Sequence, residues 1–426
     1  MSKIIVIGGG WSGCAAALAA RKAGADVILL ERTDMLLGAG LVGGIIRNNG
    51  RFTAAEEAIA LGGGDLFNLA DATARHVNID FPGHAHASLY DIVKIEPAVR
   101  NYLLDKGIDV RLETRITDIR LSGGTLKSVV SEEDEVFVGD VFVETTGTSG
   151  PMGNCRKYGN GCAMCVQRCP AFGPRVSIAA QAGIKEMIGR RLDDFYGAMS
   201  GSGKLNKDSL APDIREQLEK TGVAVVPLPP EMIDKKKLAM KPCQQYALED
   251  FAENIVLLDT GHAKIMTPFF PLEKLRKVPG FEKARYADPY AGGRGNSIRF
   301  LAMSPRDDYM QVKGLSNLFC GGEKTGLLVG HTEAIVTGTL AGHNAVRYAL
   351  GRELLRLPRS TAIGEIIAFV RESMETEEGL KQKYTFSGSV FFERMKEMGL
   401  YTTDIGVIRD RVAQAGLTDV FARKLL

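Results

Sequence analysis

The sequence predicts an α/β protein whose first domain is built around a parallel β-sheet. An apolar run at residues 4–7 opens the chain, and its length suits one buried strand. A glycine-rich turn, an alanine-rich helical segment and a second apolar run at residues 27–30 follow it, which together make a strand–helix–strand unit. Residues 317–350 repeat the order of strand, Gly-Gly turn and helix, so the chain is predicted to return to the same sheet.

The first turn carries the spacing G-x-G-x-x-G at Gly8, Gly10 and Gly13. The first glycine of such a turn permits a tight bend, the second lets the backbone approach a pyrophosphate, and the third lets helix and strand pack closely. The helix N-terminus adds N–H groups and a partial positive charge. Glu31 ends the second strand, where a carboxylate accepts a hydrogen bond from a ribose hydroxyl. These residues predict a Rossmann-like dinucleotide site, with a purely structural turn as the alternative.

Length and composition are those of an ordinary globular protein. A chain of 426 residues is predicted to form two or three domains, since domains average roughly 150 residues. Its 53 basic and 51 acidic side chains give a formal net charge of +2, which supplies no global electrostatic case for RNA as a partner. No apolar run approaches the ~18 residues of a membrane span, and the N-terminus lacks the features of a signal peptide. A cytoplasmic protein without a membrane partner is expected.

The pattern after the first unit continues as α/β. Residues 38–44 (GAGLVGG) are rich in glycine, which favours close approach to a flat ligand. Apolar spacing predicts a helix over residues 94–106. Strands are predicted at residues 110–112, 116–121, 126–130 and 136–143. The last strand leads into Thr145-Thr146-Gly147, a small-residue turn at the sheet that makes Gly147 a candidate cofactor contact.

Four segments are predicted along the chain. They are residues 1–150 as the first part of the dinucleotide-binding domain, 151–270 as an inserted α+β domain, 271–350 as the returning part, and 351–426 as a small helical region. Pro82 and Gly83 indicate a loop, and a metal site is the less favoured alternative for the histidines around it. Loop positions are therefore predicted for His76, His84 and His86.

Clustered cysteines are the sharpest chemical signal in the sequence. Thiolates are soft ligands that suit iron–sulfur clusters and zinc. The ending C-x2-C-x3-C-P is typical of bacterial ferredoxins and favours a single 4Fe-4S cluster, with a structural zinc site as the alternative. Packing positions are predicted for Cys14 and Cys320, which adjoin glycine turns. The predicted ligands of the cluster are Cys155, Cys162, Cys165 and Cys169.

Three segments carry a family resemblance. Residues 317–344 (NLFCGGEKTGLLVGHTEAIVTGTLAGHN) resemble the flavin-closing segment of the GidA/TrmFO-like group of FAD-dependent oxidoreductases. Residues 355–368 (LRLPRSTAIGEIIA) resemble the stretch that follows it in the folate- and FAD-dependent tRNA uridine methyltransferase. Residues 241–250 (KPCQQYALED) are similar to the cysteine-containing segment of the GidA branch. The group contains FAD enzymes that modify uridines in tRNA.

The resemblance implies FAD as the dinucleotide, with the glycine motif and Glu31 on its ADP half and the late Gly-Gly-Glu turn near its ribityl chain or flavin. It also makes Cys243 a candidate catalytic residue, because the matching cysteine of the GidA branch takes part in chemistry. A buried packing position is the alternative for Cys243. The predicted FAD contacts are Gly8, Gly10, Gly13, Glu31, Gly147, Gly321, Gly322 and Glu323.

Three functions remain open at the level of sequence. The favoured one is an FAD- and 4Fe-4S-containing oxidoreductase that passes electrons between an organic substrate and a one-electron partner, such as a ferredoxin-like carrier. The second is a folate-dependent RNA uridine methyltransferase of the TrmFO type, with folate as its small-molecule partner. The third is a non-enzymatic electron-relay subunit. Oligomerisation is open in each case.

Overall fold

The computed structural model describes residues 2–148, 169–192, 194–196, 198–200, 203–240, 244–267, 270–287, 297–299 and 301–426. Helices and strands fall into three groups along these ranges. The first group is β1 (Lys3–Ile7), α1 (Trp11–Lys22), β2 (Asp26–Leu30), α2 (Gly40–Gly43), β3 (Ile45–Ile46), α3 (Gly50–Ala60), α4 (Asp65–Ala72), β4 (Ala74–Phe81), β5 (His84–Tyr90), α5 (Ile95–Asp105), β6 (Asp109–Arg111), β7 (Ile116–Ser122), β8 (Thr125–Ser131), β9 (Val136–Val138) and β10 (Val141–Glu144).

The second group belongs mostly to the inserted region. It comprises α6 (Cys169–Phe172), α7 (Ile178–Gln181), β11 (Met187–Ile188), β12 (Ala198–Ser200), β13 (Lys204–Leu205), α8 (Pro212–Thr221), β14 (Val223–Pro227), α9 (Asp250–Glu253), β15 (Asn254–Asp259), β16 (Ala263–Ile265), α10 (Leu272–Leu275), β17 (Ser297–Arg299) and β18 (Ala302–Met303). The third group returns to the first domain. It comprises β19 (Leu318–Cys320), α11 (His331–Ala349), α12 (Ala362–Ser373), α13 (Ser389–Glu397) and α14 (Ile405–Gln414).

A five-stranded sheet in the order β19-β10-β1-β2-β6 forms the centre of the first domain, and all its strand pairs are parallel. The residues of β1 alternate between two cores, as side chains of a strand must. Ile4 and Val6 belong to the core on the helical side, whereas Ile5 and Ile7 belong to the core on the opposite side. The sheet confirms the predicted α/β fold class with a Rossmann-like domain.

Helices α1 and α11 pack against each other on one side of the sheet. A Cβ atom on Gly338 would lie 2.1 Å from the carbonyl oxygen of Ser12, and one on Gly342 would lie 2.1 Å from the carbonyl oxygen of Ala16. Gly338 and Gly342 are four residues apart and therefore share one helix face. This glycine face lets two helices from opposite ends of the chain approach to backbone contact, which brings the turns before both helices together.

The antiparallel sheet β7-β8-β9 covers the other side of the central sheet. The prediction of a single strand over residues 136–143 is wrong, because β9 pairs with β8 while β10 pairs with β1. The chain changes sheets at Gly139 and Asp140. A Cβ atom on Gly139 would lie 2.6 Å from Ile5 Cγ1, and the Asp140 N–H donates to the carbonyl oxygen of Lys3 at 2.9 Å. The meander itself is present as predicted.

A second domain is built on the antiparallel sheet β13-β16-β15-β14 with α8 against it. Its core contains Leu205, Leu257 and also Phe281 and Tyr286, so it continues past residue 270. A three-stranded sheet, β3-β5-β4, comes from the early part of the chain. Its residues share a core with Tyr246 and with residues of β15. The early segment therefore contributes to the domain that the insertion completes.

The three histidines do not lie in a loop. His76 is on β4, while His84 and His86 are on β5, and the two strands form an antiparallel hairpin around Pro82 and Gly83. The loop prediction was wrong because the proline and glycine form only the turn between strands. His84 is 5% exposed and contacts the wall of the cleft described below.

The C-terminal helices α12, α13 and α14 pack on the main core. Glu57 of α3 joins them to the first domain, since its carboxylate accepts hydrogen bonds from the N–H groups of Ala362 at 2.9 Å and Ile363 at 3.0 Å. Those N–H groups belong to the first turn of α12, where helices lack internal acceptors. Along the described residues, no helix combines the length and apolar character needed to cross a membrane.

Candidate functional site

A deep cleft opens at the carboxyl ends of β1, β2, β10 and β19. Ligands of open parallel sheets bind at this edge, where the connecting turns leave a crevice. The turns after β1 and β19 face the cleft, and residues of the second domain line its opposite side. The predicted cofactor contacts that line it are Gly8, Gly10, Glu31, Gly147, Gly321, Gly322 and Glu323.

The three glycines of the first turn differ in their surroundings. Gly8 has φ of +102°, and a Cβ atom there would lie 2.6 Å from the carbonyl oxygen of Thr145. Gly13 lies behind the cleft, where its Cβ atom would come within 1.8 Å of the carbonyl oxygen of Gly8. At Gly10, no described atom lies within 4 Å of the same position. Gly8 and Gly13 are thus required by packing, whereas Gly10 keeps open the space where a ligand would approach.

The start of α1 suits the phosphate groups of a dinucleotide. Gly10 is the N-cap of α1 and provides no side-chain cap, so no side chain of the cap residue competes with a ligand for the N–H groups of the first turn. Ser12 Oγ is buried and has no hydrogen-bond partner within the described ranges. A phosphate oxygen would satisfy both kinds of donor. The residues present therefore fit the cofactor that the motif predicts.

Glu31 is positioned by the backbone around it. Its Oε2 atom accepts a hydrogen bond from the Gly9 N–H at 2.7 Å, and its Oε1 atom accepts one from the Thr33 N–H at 2.9 Å. The carboxylate is 8% exposed and lines the cleft beside the glycine turn. A carboxylate held in this way keeps further lone pairs for a ligand hydroxyl. Its contact with ribose stays a prediction.

The turn after β19 is joined closely to the first turn. A Cβ atom on Gly321 would lie 2.4 Å from Ser12 Oγ. Gly322 has φ of +70°, and its N–H donates to Thr337 Oγ1 at 2.9 Å. The two turns therefore form one continuous surface at the base of the cleft.

Gly147 and Glu323 lie next to this surface. Gly147 has φ of +74°, and no described atom lies within 4 Å of the position of a Cβ atom there. Glu323 Oε2 accepts a hydrogen bond from Thr148 Oγ1 at 3.0 Å. The carboxylate of Glu323 thereby joins the turn after β10 to the turn after β19.

The glycine-rich residues 38–44 form another wall of the cleft, and lysines of the second domain hold it. Lys264 Nζ donates to the carbonyl oxygen of Val42 at 2.8 Å. Lys204 and the hydroxyl of Tyr90 donate to two further carbonyl oxygens of α2 at 3.1 and 2.8 Å. Carbonyl groups at the end of a helix carry partial negative charge and favour such cations. The second domain thus fixes one side of the cleft.

A buried ion pair joins α3 to the first turn of α11. Arg51 and Glu333 are 2% and 0% exposed, and Arg51 Nε lies 3.1 Å from Glu333 Oε1. Arg51 also donates to the carbonyl oxygen of Val329 at 3.0 Å, and Glu333 accepts from the Phe386 N–H at 2.9 Å. The pair did not emerge from sequence patterns. The signal that could have indicated this ion pair is the presence of charged residues in helical segments whose other residues are mostly small or apolar.

A second buried charge network lies behind the turn after β19. Lys324 Nζ and Glu144 are both fully buried, and Nζ lies 3.2 Å from Glu144 Oε1. Lys324 also contacts the carboxylate of Glu186. Burial raises the pKa of Glu186, but the Lys324 ammonium and the Arg175 guanidinium outweigh it and hold that pKa below its ordinary value. The network ties the segment after the cysteine cluster to the base of the cleft.

The predicted catalytic and metal residues fall largely outside the described residues. Cys243, Cys155, Cys162 and Cys165 all lie outside the described ranges, so their roles stay predictions. Within those ranges, no group of three or more His, Cys, Asp or Glu side chains has the geometry of a metal site.

Cys169 lies near the end of the cleft that Glu31 and Arg32 line. Its Sγ atom is 3.9 Å from a guanidinium nitrogen of Arg32, a cleft-lining residue that directly follows Glu31. Cys14 and Cys320 are fully buried, and burial raises the pKa of both thiols, that of Cys320 to about 12. Cys14 and Cys320 are therefore protonated packing residues at neutral pH.

Two solved structures of one bacterial protein share the fold of this chain. Two crystal forms of GidA from Aquifex aeolicus superpose on this chain with TM-scores of 0.62 and 0.60. The superpositions cover 97% of this chain and 76% and 78% of the GidA chains, with sequence identities of 17% and 15%. At such identities the likeness shows the shared fold.

Curated relatives share a shorter segment at higher identity. The methylenetetrahydrofolate–tRNA-(uracil-5-)-methyltransferase TrmFO of Anoxybacillus flavithermus is 35% identical over 101 residues, which are 23% of this chain and 22% of that protein. The TrmFO of Caldicellulosiruptor bescii is 36% identical over 98 residues, 22% of this chain and 21% of that protein. The matched segment thus spans about a fifth of each relative.

The family comparison covers far more of the chain. The family model described as Glucose inhibited division protein A matches residues 3–255 and 266–353. These ranges contain both strand–helix units, the turn after β19 and the second domain apart from residues 256–265. The resemblance to the GidA/TrmFO-like group of FAD-dependent enzymes is confirmed, and the chain belongs to the Glucose inhibited division protein A family.

Proposed function

We propose that the cleft binds FAD and that the chain is a folate-dependent methyltransferase acting on uracil in RNA. The observation that carries the proposal is the cleft of a GidA-family fold in a chain whose curated relatives are folate-dependent tRNA methyltransferases. This was the second of the functions left open by the sequence. Family membership and the named relatives favour it over a flavin and iron–sulfur oxidoreductase.

The residues of the cleft have distinct roles in this proposal. The N–H groups at the start of α1 bind the pyrophosphate, and Glu31 accepts a ribose hydroxyl. FAD bound there and reduced by a nicotinamide nucleotide would supply the hydride that converts a methylene unit to a methyl group. Val329 to His331 and Gln245 to Tyr246 line the part of the cleft away from Glu31, where the reacting rings would lie. Lys264 lines the same part and favours negative charge on ring carbonyl oxygens.

Isotope transfer tests the proposal directly. The FAD-loaded protein is incubated anaerobically with methylenetetrahydrofolate labelled in its methylene carbon, a reduced nicotinamide nucleotide and unmodified tRNA. Labelled 5-methyluridine is expected in the digested RNA. Gly10→Ala, which narrows the predicted pyrophosphate site, is the matched control and is expected to abolish transfer. Flavin oxidation without label in RNA, across several RNA substrates, would reject the methyltransferase.

A second candidate, an FAD- and 4Fe-4S-containing oxidoreductase, rests on the cysteine motif. The last of these cysteines, Cys169, lies beside Arg32 of the cleft, so a cluster there would adjoin the ADP end of FAD. Such a pair of cofactors would convert two-electron chemistry to one-electron transfer. The cluster would have to use Cys155, Cys162 and Cys165, which stay predicted ligands.

Metal analysis separates this candidate from the first. Anaerobically purified protein is expected to contain about four iron and four sulfide per flavin, with a broad absorption near ~400 nm. Cys165→Ser should remove the iron but leave FAD bound, whereas Cys14→Ser serves as a control outside the cluster. Zinc without iron would exclude electron transfer through this motif. Reduced flavin that passes electrons to ferredoxin but transforms no organic substrate would indicate a relay subunit.

A further inference from the structure

The side chain of Gln245 presents an unsatisfied oxygen to the cleft. Gln245 is 4% exposed and lines the cleft, and its Oε1 atom has no hydrogen-bond partner within the described residues. A buried amide oxygen without a donor is unfavourable, and proteins rarely keep one without a functional reason. The missing donor is therefore expected to come from a molecule that occupies the cleft.

The backbone of Gln245 is held by His84. His84 Nε2 lies 3.0 Å from the carbonyl oxygen of Gln245, and His84 Nδ1 lies 3.0 Å from Asn48 Nδ2 and 3.3 Å from Asn49 Nδ2. The amide oxygens of Asn48 and Asn49 accept from Arg51 and from the Ala85 N–H, which fixes both amide orientations. The amide nitrogen of Asn48 therefore donates to Nδ1, so Nε2 carries the proton and donates to the carbonyl oxygen of Gln245.

Packing fixes the Gln245 side chain from behind. A Cβ atom on Gly388 would lie 2.6 Å from the Cβ atom of Gln245, so there is no room for displacement in that direction. The adjacent Tyr246 ring stacks near His84, with centroids 4.7 Å apart, and its hydroxyl accepts from Arg51 at 3.5 Å. The backbone and Cβ atom of Gln245 are thus held in place before any ligand binds, and such preorganisation is how binding sites gain specificity.

The lining of the cleft favours a flat, partly apolar ligand. The same cleft is lined by the ring of Tyr246, by Met266 and by the imidazole of His331, with Lys264 as a nearby cation. A flat surface with one N–H acceptor and one cation suits a ring in which an N–H group stands next to carbonyl groups. Flavin, uracil and pterin rings all carry this lactam or imide edge.

We propose that Gln245 Oε1 accepts a hydrogen bond from the ring N–H of a lactam or imide bound in the cleft. This assignment rests on the proposed function only for the identity of the second ligand. Two sources share the chemistry, namely the pyrimidine portion of FAD and the ring of a second ligand. Gln245 is a binding residue that selects for a ring N–H in either case.

Binding measurements test the assignment without turnover. Gln245→Met removes the acceptor at nearly constant length, and Gln244→Met in the same turn is the control, because Gln244 does not line the cleft. One arm titrates apoprotein with FAD and with N3-methyl FAD. The other arm titrates FAD-loaded protein with uridine monophosphate, N3-methyluridine monophosphate and tetrahydrofolate.

In the arm that contains the donor ring, Gln245→Met is expected to weaken ligand binding about tenfold. This factor corresponds to the loss of one buried hydrogen bond. Methylation at N3 should weaken binding to wild type by the same factor and leave binding to Gln245→Met unchanged. An effect in the FAD arm identifies the flavin as the donor, and an effect in the second arm identifies the other ring.

Gln245→Glu keeps an acceptor oxygen and should still bind the N3-methyl ligand more weakly than the unmethylated one. This second variant keeps the test valid if Gln245→Met does not fold. Affinities of wild type and Gln245→Met within twofold of each other in both arms would overturn the assignment and leave water as the partner of Oε1. Absence of methyl transfer would reject the proposed function but leave the FAD arm intact, so the two failures are distinguishable.

Discussion

The carbonyl oxygen of Gly8 lies so close to Gly13 that a Cβ atom on Gly13 would be 1.8 Å from it. No side-chain movement can relieve this contact, because both groups belong to the backbone of the first strand–helix unit. Gly13→Ala is therefore expected to reduce the free energy of unfolding by at least about 3 kcal/mol, the upper range for overpacking. Urea denaturation of wild type and variant measures the loss.

Gly10→Ala is the matched comparison at the neighbouring glycine. Gly10 has φ of −66°, which alanine adopts freely, and open space where the methyl group would lie. The variant should unfold at the same urea concentration as wild type but bind FAD at least tenfold more weakly, because the methyl group occupies the approach to the pyrophosphate. Equal FAD affinity in both proteins would show that the pyrophosphate lies elsewhere.

Removing Arg51 should expose the cost of the buried carboxylate of Glu333. Arg51→Met is expected to destabilise the protein by about 3–5 kcal/mol, since it leaves a buried charge without its partner. Adding Glu333→Gln should recover part of that loss. Arg111→Met breaks an exposed pair with Asp109 and is expected to cost less than about 1 kcal/mol. Additive losses for Arg51→Met and Glu333→Gln would contradict the coupling.

Lys324 is predicted to hold the carboxyl group of Glu186 in its ionised form. Lys324→Met removes the shared cation of the fully buried Glu144 and the partly buried Glu186, and a loss of about 3–5 kcal/mol is expected at pH 7. Because protonation of a carboxylate relieves this cost, the deficit should shrink as the pH falls to 5. Lys396→Met, at an exposed pair with Glu393, should change neither stability nor its pH dependence. A deficit independent of pH would argue against this electrostatic origin.

His343 is expected to make the protein sensitive to acid. Burial lowers the pKa of His343 to about 3, with a smaller contribution from Arg347. An unfolded histidine titrates near ~6.5, so below that pH the unfolded state binds a proton that the folded state does not. The contribution of His343 is complete above pH 6.5 and is lost progressively as the pH falls towards 3.

The size of this effect can be measured as a difference between proteins. Between pH 7.5 and pH 5, wild type should lose about 2 kcal/mol more unfolding free energy than His343→Gln, which keeps an acceptor for Arg347. Urea denaturation at the two pH values gives both losses, and the comparison cancels the titration of other groups. Equal losses would mean that His343 binds a proton as readily in the folded protein as in the unfolded chain.

The local features of this protein could be predicted because they depend on neighbouring residues. The apolar run before Gly8 makes a strand, the alanines after Gly13 make a helix, and the two glycines permit a turn that other residues cannot adopt. The same logic located the helix at residues 331–349 to within two residues. The single strand over residues 136–143 failed because a change of sheet at Gly139 leaves the apolar pattern almost unbroken.

The sequence by itself determined the strand–helix units, the glycine turns and the carboxylate of Glu31, all of which are set by short-range periodicity and backbone geometry. Only the tertiary structure decided which distant residues meet: Arg51 with Glu333, Lys324 with Glu144, and Gln245 with His84 and the cleft. No local sequence pattern indicates these contacts. Their partners are distant in sequence and meet only when the strands pair and the two domains pack together. The local turns therefore determine where the cleft forms, and the long-range contacts determine which side chains surround it.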